Sequence, residues 1–214
     1  MNLGSSLPVF GQALGLAAAA GLNLYLATFA AGLAIHFHWI QLQEPFSSLA
    51  VLDNGWIIGI SGLLFALEFF ADKIPGVDSL WDLIHSVIRP LGGAALAMQS
   101  LGALSPEMAV LGALLGGATA ATLHAAKSGT RILANTSPEP FSNSVLSLTE
   151  DGAVLGMLWL LFFHPLLSLL VVACFLLLLA FLLPKLLRKI GGLWRTTTGC
   201  FGSAANGKKG GRNC

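Results

Sequence analysis

Long apolar runs dominate the chain, cut at intervals by proline and by short polar stretches. Six apolar segments stand out, at about 12–36, 55–71, 79–104, 108–133, 143–163 and 166–187. A membrane-spanning helix needs about 20 mostly apolar residues. Only the last segment, PLLSLLVVACFLLLLAFLLPKLL, meets that standard without reservation. The second is short, the third is polar in its first half, and the fourth and fifth carry charges near one end. The pattern predicts an all-α polytopic transmembrane bundle of about six spans over residues 1–193. A flexible, basic, Gly-rich tail follows at 194–214. The connections carry helix breakers, as in ADKIPGVDS, LSPE, ANTSPEPFSNS and His164–Pro165. Pro90, followed by Gly92 and Gly93, predicts a kink or break inside the third helix, because proline removes a backbone donor.

Composition supports a membrane domain. The chain has 214 residues, 55% hydrophobic and 10% charged, where a soluble domain carries about 25% charged residues. Net charge is +1, so overall electrostatics single out no partner and do not suggest nucleic acid. The partners expected are the lipid bilayer and a small ion or solute. Gly/Ala-rich stretches such as GLAAAAGLNLYLATFAAGLA and LGALLGGATAATLHAAKSG suit close helix packing in lipid, within one chain or in an oligomer. Three cysteines give no disulfide framework and no zinc spacing. Cys174 reads as inert filling, while Cys200 and Cys214 lie in the tail. No cofactor or metal site is expected. The N-terminal stretch MNLGSSLPVFGQ has no Lys or Arg, so the first apolar segment reads as a retained helix rather than a secretory signal.

Seven of the eleven Lys and Arg residues follow Pro184, which places the C-terminus in the cytoplasm. Six spans would put the N-terminus there as well, in a multi-pass protein of the cell membrane, the inner membrane in a bacterium. Lys73, Lys127 and Arg131 fall at or near the loops then facing inward. The opposite loops, at 37–54, 105–107 and 164–165, contain neither Lys nor Arg.

The unusual feature is charge inside apolar sequence. Between Ala71 and Pro90 lie Asp72, Lys73, Asp78, Asp82, His85 and Arg89, with Glu68 just before and Glu150–Asp151 in a later segment. A charge at mid-bilayer costs about 2.5–3.5 kcal/mol on insertion scales. Asp78, Asp82, His85 and Arg89 share one helix face. His124, Lys127 or Ser128, Arg131 and Asn135 repeat that spacing on the fourth segment. One stripe is mainly acidic and the other basic, which predicts that they face each other within the bundle. At 1.5 Å per residue, Arg89 lies roughly 15 Å from Ser79, and Glu150 and Asp151 roughly 12–14 Å from Ser142. Arg89, His124, Glu150 and Asp151 are therefore expected in one layer, with an Arg89–Glu150 or Arg89–Asp151 pair.

The charges do not balance. Glu68, Asp72, Asp78, Asp82, Glu150 and Asp151 stand against Lys73, Arg89, Lys127 and Arg131. Surplus carboxylates face water, take up protons or hold a cation. Asn23, Tyr25 and Thr28 add polar groups to the first segment. His36, His38 and Trp39 read as interfacial residues, and the two histidines diverge on a helix. At an offset of 63 the loops after segments two and four align, with five identities over 23 positions, such as Pro75 with Pro138 and Gly93 with Gly156. The alignment suggests a weak parallel repeat, against the alternative of two ordinary proline turns. No phosphate loop, nucleophile elbow or HExxH motif is present. Ser79, Asp82 and His85 lie near one another without further catalytic partners, so the sequence points away from an enzyme.

Three runs, GLNLYL, EFFADKIPGVDSLWDLIHSVIRPLGG and NTSPEPFSNSVLSLTEDGAVLG, resemble a bacterial integral membrane family catalogued as domain-of-unknown-function family 4126 (DUF4126). The resemblance covers about residues 10–190. It implies a small polytopic membrane protein and assigns no activity, so no functional residue carries over. Two functions fit the residues. One is a small transporter or permease with proton or cation coupling. There Arg89 would bind an anionic group or close a pair, and Glu150 and Asp151 would accept protons or a cation. Asp78, Asp82 and His85 would form a cytoplasmic entrance, with Glu68, Asp72, His124, Lys127 and Arg131 along the pathway. The other is a non-transporting structural or accessory protein whose charges lock the bundle.

Overall fold

The computed structural model describes residues 3–42, 46–74, 76–102, 104–134 and 140–182. Among these the chain is all helical, without strands. In chain order come α1 (Leu3–His36), a 3-10 helix (Phe46–Asp53), α2 (Gly55–Ala71), α3 (Val77–Gly102), α4 (Pro106–Ala134), α5 (Pro140–Phe163) and α6 (Pro165–Leu182). Residues Met1–Val172 form one compact unit, and a second begins at Ala173. The expected boundary at 193/194, the tail with Cys200 and Cys214, and the Asn135–Glu139 half of the repeat lie outside the described residues.

Among the described residues four helical stretches are long and apolar enough to cross a membrane: Ser6–His36, Pro106–Ile132, Ser144–Phe163 and Pro165–Leu182. A fifth is counted if the 3-10 helix and α2, bent by 73° at their junction, form one broken span. Helix α3 does not join them, because Asp78, Asp82 and Arg89 interrupt its hydropathy. Its outward residues are apolar all the same: Leu80, Leu83, Val87 and Leu91 are exposed. Local sequence fixes the helix ends. Asn54 caps α2 by accepting from the Trp56 and Ile57 N–H groups, at 2.9 and 3.4 Å. Gly76 takes φ +90°, a value that favours glycine, in the turn before α3.

Helix α1 departs most from the sequence expectation, because it is not one rod. Asn23 has φ −151° and ψ 99°, extended values inside a helix. A short polar side chain competes with the backbone for hydrogen bonds, and Asn23 does so here. Its Oδ1 accepts from the Leu26 N–H at 2.9 Å. The two arms run in opposite directions. On the first, Val9, Ala13 and Ala17 pack against Ala97 and Leu101 of α3, with Phe46 alongside. On the second, Phe29 stacks on Phe65 of α2, and His36 bonds Asp53 at 2.7 Å. Gln12 and Ile40 line a single cavity, yet a straight helix would by itself carry residue 12 about 36 Å from residue 36. Helix α1 is thus a helical hairpin with Asn23 at its tip. Both arms return to the end of the bundle that holds the 3-10 helix and the α3–α4 turn.

The hairpin is the centre of the unit. Ala13, Leu16, Ala17, Ala19, Ala20, Ala27 and Ala31 are all fully buried, and α1 packs against α2, α3, α4 and α5. The small residues of its sequence therefore serve interior packing. Helix α3 packs closely on α4. A Cβ on Gly116 would lie 2.7 Å from the Gly93 carbonyl, and one on Gly112 would lie 2.6 Å from that of Ala97. Gly21 meets the Ala120 carbonyl at 2.6 Å in the same sense. Pro90 does not break α3, which runs as one helix from Val77 to Gly102. The break expected there occurs at Asn23 instead.

Candidate functional site: a buried charge network

The hairpin tip meets the charged ends of four helices. Helix α2 brings Glu68, with Asp72 just past its end. Helix α3 brings Asp82, His85 and Arg89, helix α4 brings His124, Lys127 and Arg131, and helix α5 brings Glu150 and Asp151. All but Asp151 are buried, and Glu68 and Arg89 are wholly so. The two stripes face each other: the Arg89 Nη1 lies 3.8 Å from the Asp82 Oδ1 and donates to the His124 Nδ1 at 3.0 Å. An arginine only donates, so the His124 Nδ1 carries no proton. The His124 Nε2–H donates to the Asp82 carbonyl at 3.0 Å. These two bonds fix the neutral tautomer. Ser128 donates to the Asp82 Oδ2 at 3.2 Å.

Arg89 pairs with Glu68 through Nη2. The expected Arg89–Glu150 and Arg89–Asp151 pairs are not formed, because α2 presents Glu68 to Arg89 first. Glu150 belongs to Arg131, whose Nε and Nη2 reach its two oxygens at 3.5 and 2.6 Å. The same Nη2 also bonds the Asp72 Oδ2 at 2.7 Å. Lys127 sits between the groups. Its Nζ lies 3.5 Å from Glu68, 3.3 Å from Asp72 and 3.2 Å from Glu150.

At the hairpin tip the network's partners include two backbone atoms that side-chain pattern cannot reveal. The Leu22 carbonyl accepts from the Lys127 Nζ at 3.1 Å, and the Gly21 carbonyl from the Arg89 Nη1 at 3.4 Å. The helix break at Asn23 frees carbonyls at this point, as at the broken helices that line ion sites in membrane proteins. Asn23 also donates to the Asp151 Oδ1 at 3.1 Å, so Asp151 is held by the tip. The sequence signal for the tip is Asn23, two residues after Gly21 in an apolar run.

The remaining candidates sit at the edge. Asp78, fully buried, accepts from the Gly76 N–H at 2.8 Å and so serves the α2–α3 turn. Tyr25 donates to the His85 Nε2 at 3.0 Å, and the His85 Nδ1–H donates to the Trp81 carbonyl at 2.7 Å. Lys73 lies in the loop after α2. Its ammonium sits 3.0 Å over the Phe69 ring and donates to the Phe69 carbonyl at 2.9 Å. Burial lowers its pKa, outweighing the opposite pull of Asp151 and Asp72.

The network is more acidic than basic. Glu68, Asp72, Asp82 and Glu150 surround Arg89, Lys127 and Arg131. Four buried atoms here, the Glu68 Oε2, Asp72 Oδ1, Asp82 Oδ1 and Arg89 Nε, find no hydrogen-bond partner among the described residues. Such groups are costly in a low-dielectric interior. Among the described residues no group of three or more His, Cys, Asp or Glu side chains is placed to hold a metal ion.

The model of one protein family, described as a domain of unknown function (DUF4126), matches residues 10–185. No curated protein and no solved structure matches the chain.

Proposed function

The chain belongs to the DUF4126 family, and because that membership carries no activity we propose a function from the residues themselves: a small multi-pass membrane transporter whose buried charge network takes up protons. The observation behind this reading is the excess of buried carboxylate with three oxygens lacking a donor, placed where the hairpin tip releases backbone carbonyls. A proton is the smallest occupant that relieves the excess. Helices α2 to α6 would cross the bilayer, α3 being tolerated because its charges point inward, and α1 would enter and leave by one face. That counting replaces six simple spans. The Lys73, Lys127 and Arg131 end would face the cytoplasm of a cell membrane by the distribution of Lys and Arg. The first residues of α1 would then lie toward the other side. Arg89 would hold the network closed in the resting arrangement, and Glu150 and Asp151 would pass charge to the tip.

A second reading has its own support. Arg89, Lys127 and Arg131 each contact at least two acidic side chains, and Arg89 has no exposed surface. A structural or accessory membrane protein locked by these pairs would need nothing more. Proteoliposomes loaded with a pH dye separate the two. Under an imposed membrane potential, wild-type protein should acidify or alkalinise the lumen faster than empty vesicles, and Glu150→Gln should not. Wild-type vesicles as tight to protons as empty ones, with Glu150→Gln merely less heat-stable, would leave only the locking role.

A further inference from the structure

The four acids of the buried network are not held alike. Glu68 pairs directly with the Arg89 Nη2. Asp72 accepts from the Arg131 Nη2 at 2.7 Å and the Lys127 Nζ at 3.3 Å. Glu150 accepts from the same Arg131 Nη2 at 2.6 Å, with the Lys127 Nζ at 3.2 Å. Asp82 has no such bond among the described residues. The Arg89 Nη1 lies 3.8 Å from its Oδ1, too far for a hydrogen bond. Its carboxylate accepts one hydrogen bond, from the uncharged Ser128 hydroxyl to Oδ2 at 3.2 Å, and Oδ1 accepts none. His124 gives its Nε2–H to the Asp82 backbone carbonyl and not to the carboxylate. Yet Asp82 is only 4% exposed, so bulk solvent is shut out.

We infer that Asp82 is the proton-binding site of the network and that Ser128 positions its carboxyl group. The inference rests on proton uptake by the network and names the atom that takes the proton. Bonded cations favour the charged form of a buried carboxyl group, and burial without them favours the neutral form. Glu68, Asp72 and Glu150 are of the first kind and Asp82 is of the second. One proton also evens the charges. With Asp82 neutral, Glu68, Asp72 and Glu150 stand against Arg89, Lys127 and Arg131. Oδ1 is the oxygen without a donor. Hydronium transfers a proton there, one O–H bond forms, and water is released. Oδ2 remains as the carbonyl oxygen and keeps its bond from Ser128.

The neighbouring charges are engaged elsewhere. On α3, Asp78 serves the turn at Gly76, and His85 is held neutral between Tyr25 of α1 and the Trp81 carbonyl. Arg89 is drawn to Glu68 of α2. On α4, His124 is neutral, Lys127 meets the other three acids, and Arg131 is bonded to Asp72 and Glu150. Asp151 of α5 accepts from Asn23.

Infrared spectra of the purified full-length protein in nanodiscs at neutral pH test the inference. Ordinary Asp and Glu side chains are ionised there, so the carbonyl stretch of a protonated carboxyl group marks a site that holds its proton. Wild-type protein should show such a band, shifted on exchange into D2O. Asp82→Asn should remove it. Ser128→Ala should move it to higher frequency, because the bond to Oδ2 is lost. A band that survives Asp82→Asn puts the proton on another acid and overturns the inference, while proton uptake by the network stands. The absence of any band in wild-type protein overturns it too, and the pH-dye flux then decides separately on uptake. A band unmoved by Ser128→Ala overturns the role of Ser128. Should Asp82→Asn fail to fold, the Ser128→Ala shift decides, because among the network acids Ser128 bonds Asp82.

Discussion

Lys127 donates to the backbone carbonyl of Leu22 at 3.1 Å, across two helices and 105 residues of chain. The bond exists because Leu26, the ordinary helical partner of that carbonyl, gives its N–H to the Asn23 side chain. One asparagine therefore turns a helix back on itself and provides a seat for a buried ammonium. Asn23→Ala should remove the acceptor for Leu26 and the donor to Asp151 together. A loss of about 1–3 kcal/mol is expected for the buried groups left unpaired. It would be read as a lowered unfolding midpoint in detergent, and an unchanged midpoint would show that the tip is held by packing alone.

Among the described residues Arg89 is the most deeply buried cation. Arg89→Gln leaves Glu68 and Asp82 without their guanidinium, and truncating one side of a buried pair costs about 3–5 kcal/mol. Removing the carboxylate as well, in Arg89→Gln with Glu68→Gln, should recover a large part of that loss. A double variant as unstable as the sum of the singles would mean that the two side chains do not interact energetically.

The α3–α4 seam depends on missing side chains. Gly116→Ala would press a methyl group to 2.7 Å from the Gly93 carbonyl and onto the Ala97 Cβ. Overpacking of this kind costs about 1–3 kcal/mol. Gly59 and Gly156, where an added Cβ meets nothing within 4 Å, are the controls. Alanine there should be neutral or stabilise by about 0.5–1 kcal/mol through helix propensity. Thermal unfolding of the three variants should rank them in that order.

Tyr25→Phe deletes the hydroxyl that donates to the His85 Nε2 at 3.0 Å while keeping the ring against His85. The expected loss is about 1 kcal/mol. In the proteoliposome assay, proton flux in this variant should match wild type, because Tyr25 contacts none of the three buried cations directly. A flux defect with normal stability would bring Tyr25 into the pathway.

The sequence disclosed the polar faces better than the backbone. Helical spacing placed Asp82, His85 and Arg89 on one stripe and His124, Lys127 and Arg131 on another, and the structure sets those stripes face to face. Periodicity carries such information because a helix repeats. Pairing within the layer was less legible. Depth counted at 1.5 Å per residue put Arg89 level with Glu150, but it does not measure the azimuth of α2, which delivers Glu68. The hairpin in α1 was invisible to hydropathy, since its two arms are as apolar as one continuous span. Pro90 gave the stronger sequence signal for a break, yet α3 passes through it intact. A proline costs one hydrogen bond, whereas Asn23 actively replaces one with its own side chain.

The inward-folded α1 also bears on how the molecule assembles. It leaves the ribosome before α2 to α6 and is the helix most surrounded in the finished bundle. Its tip cannot satisfy Leu22, Gly21 or Asp151 until α3, α4 and α5 have been made, because Arg89, Lys127 and Asp151 arrive with them. A helix made before its partners is thus stabilised only after them, and contacts so distant in sequence are slow to form. Chains truncated before Pro106 should leave α1 open to protease at Asn23, and chains complete through Leu182 should protect it.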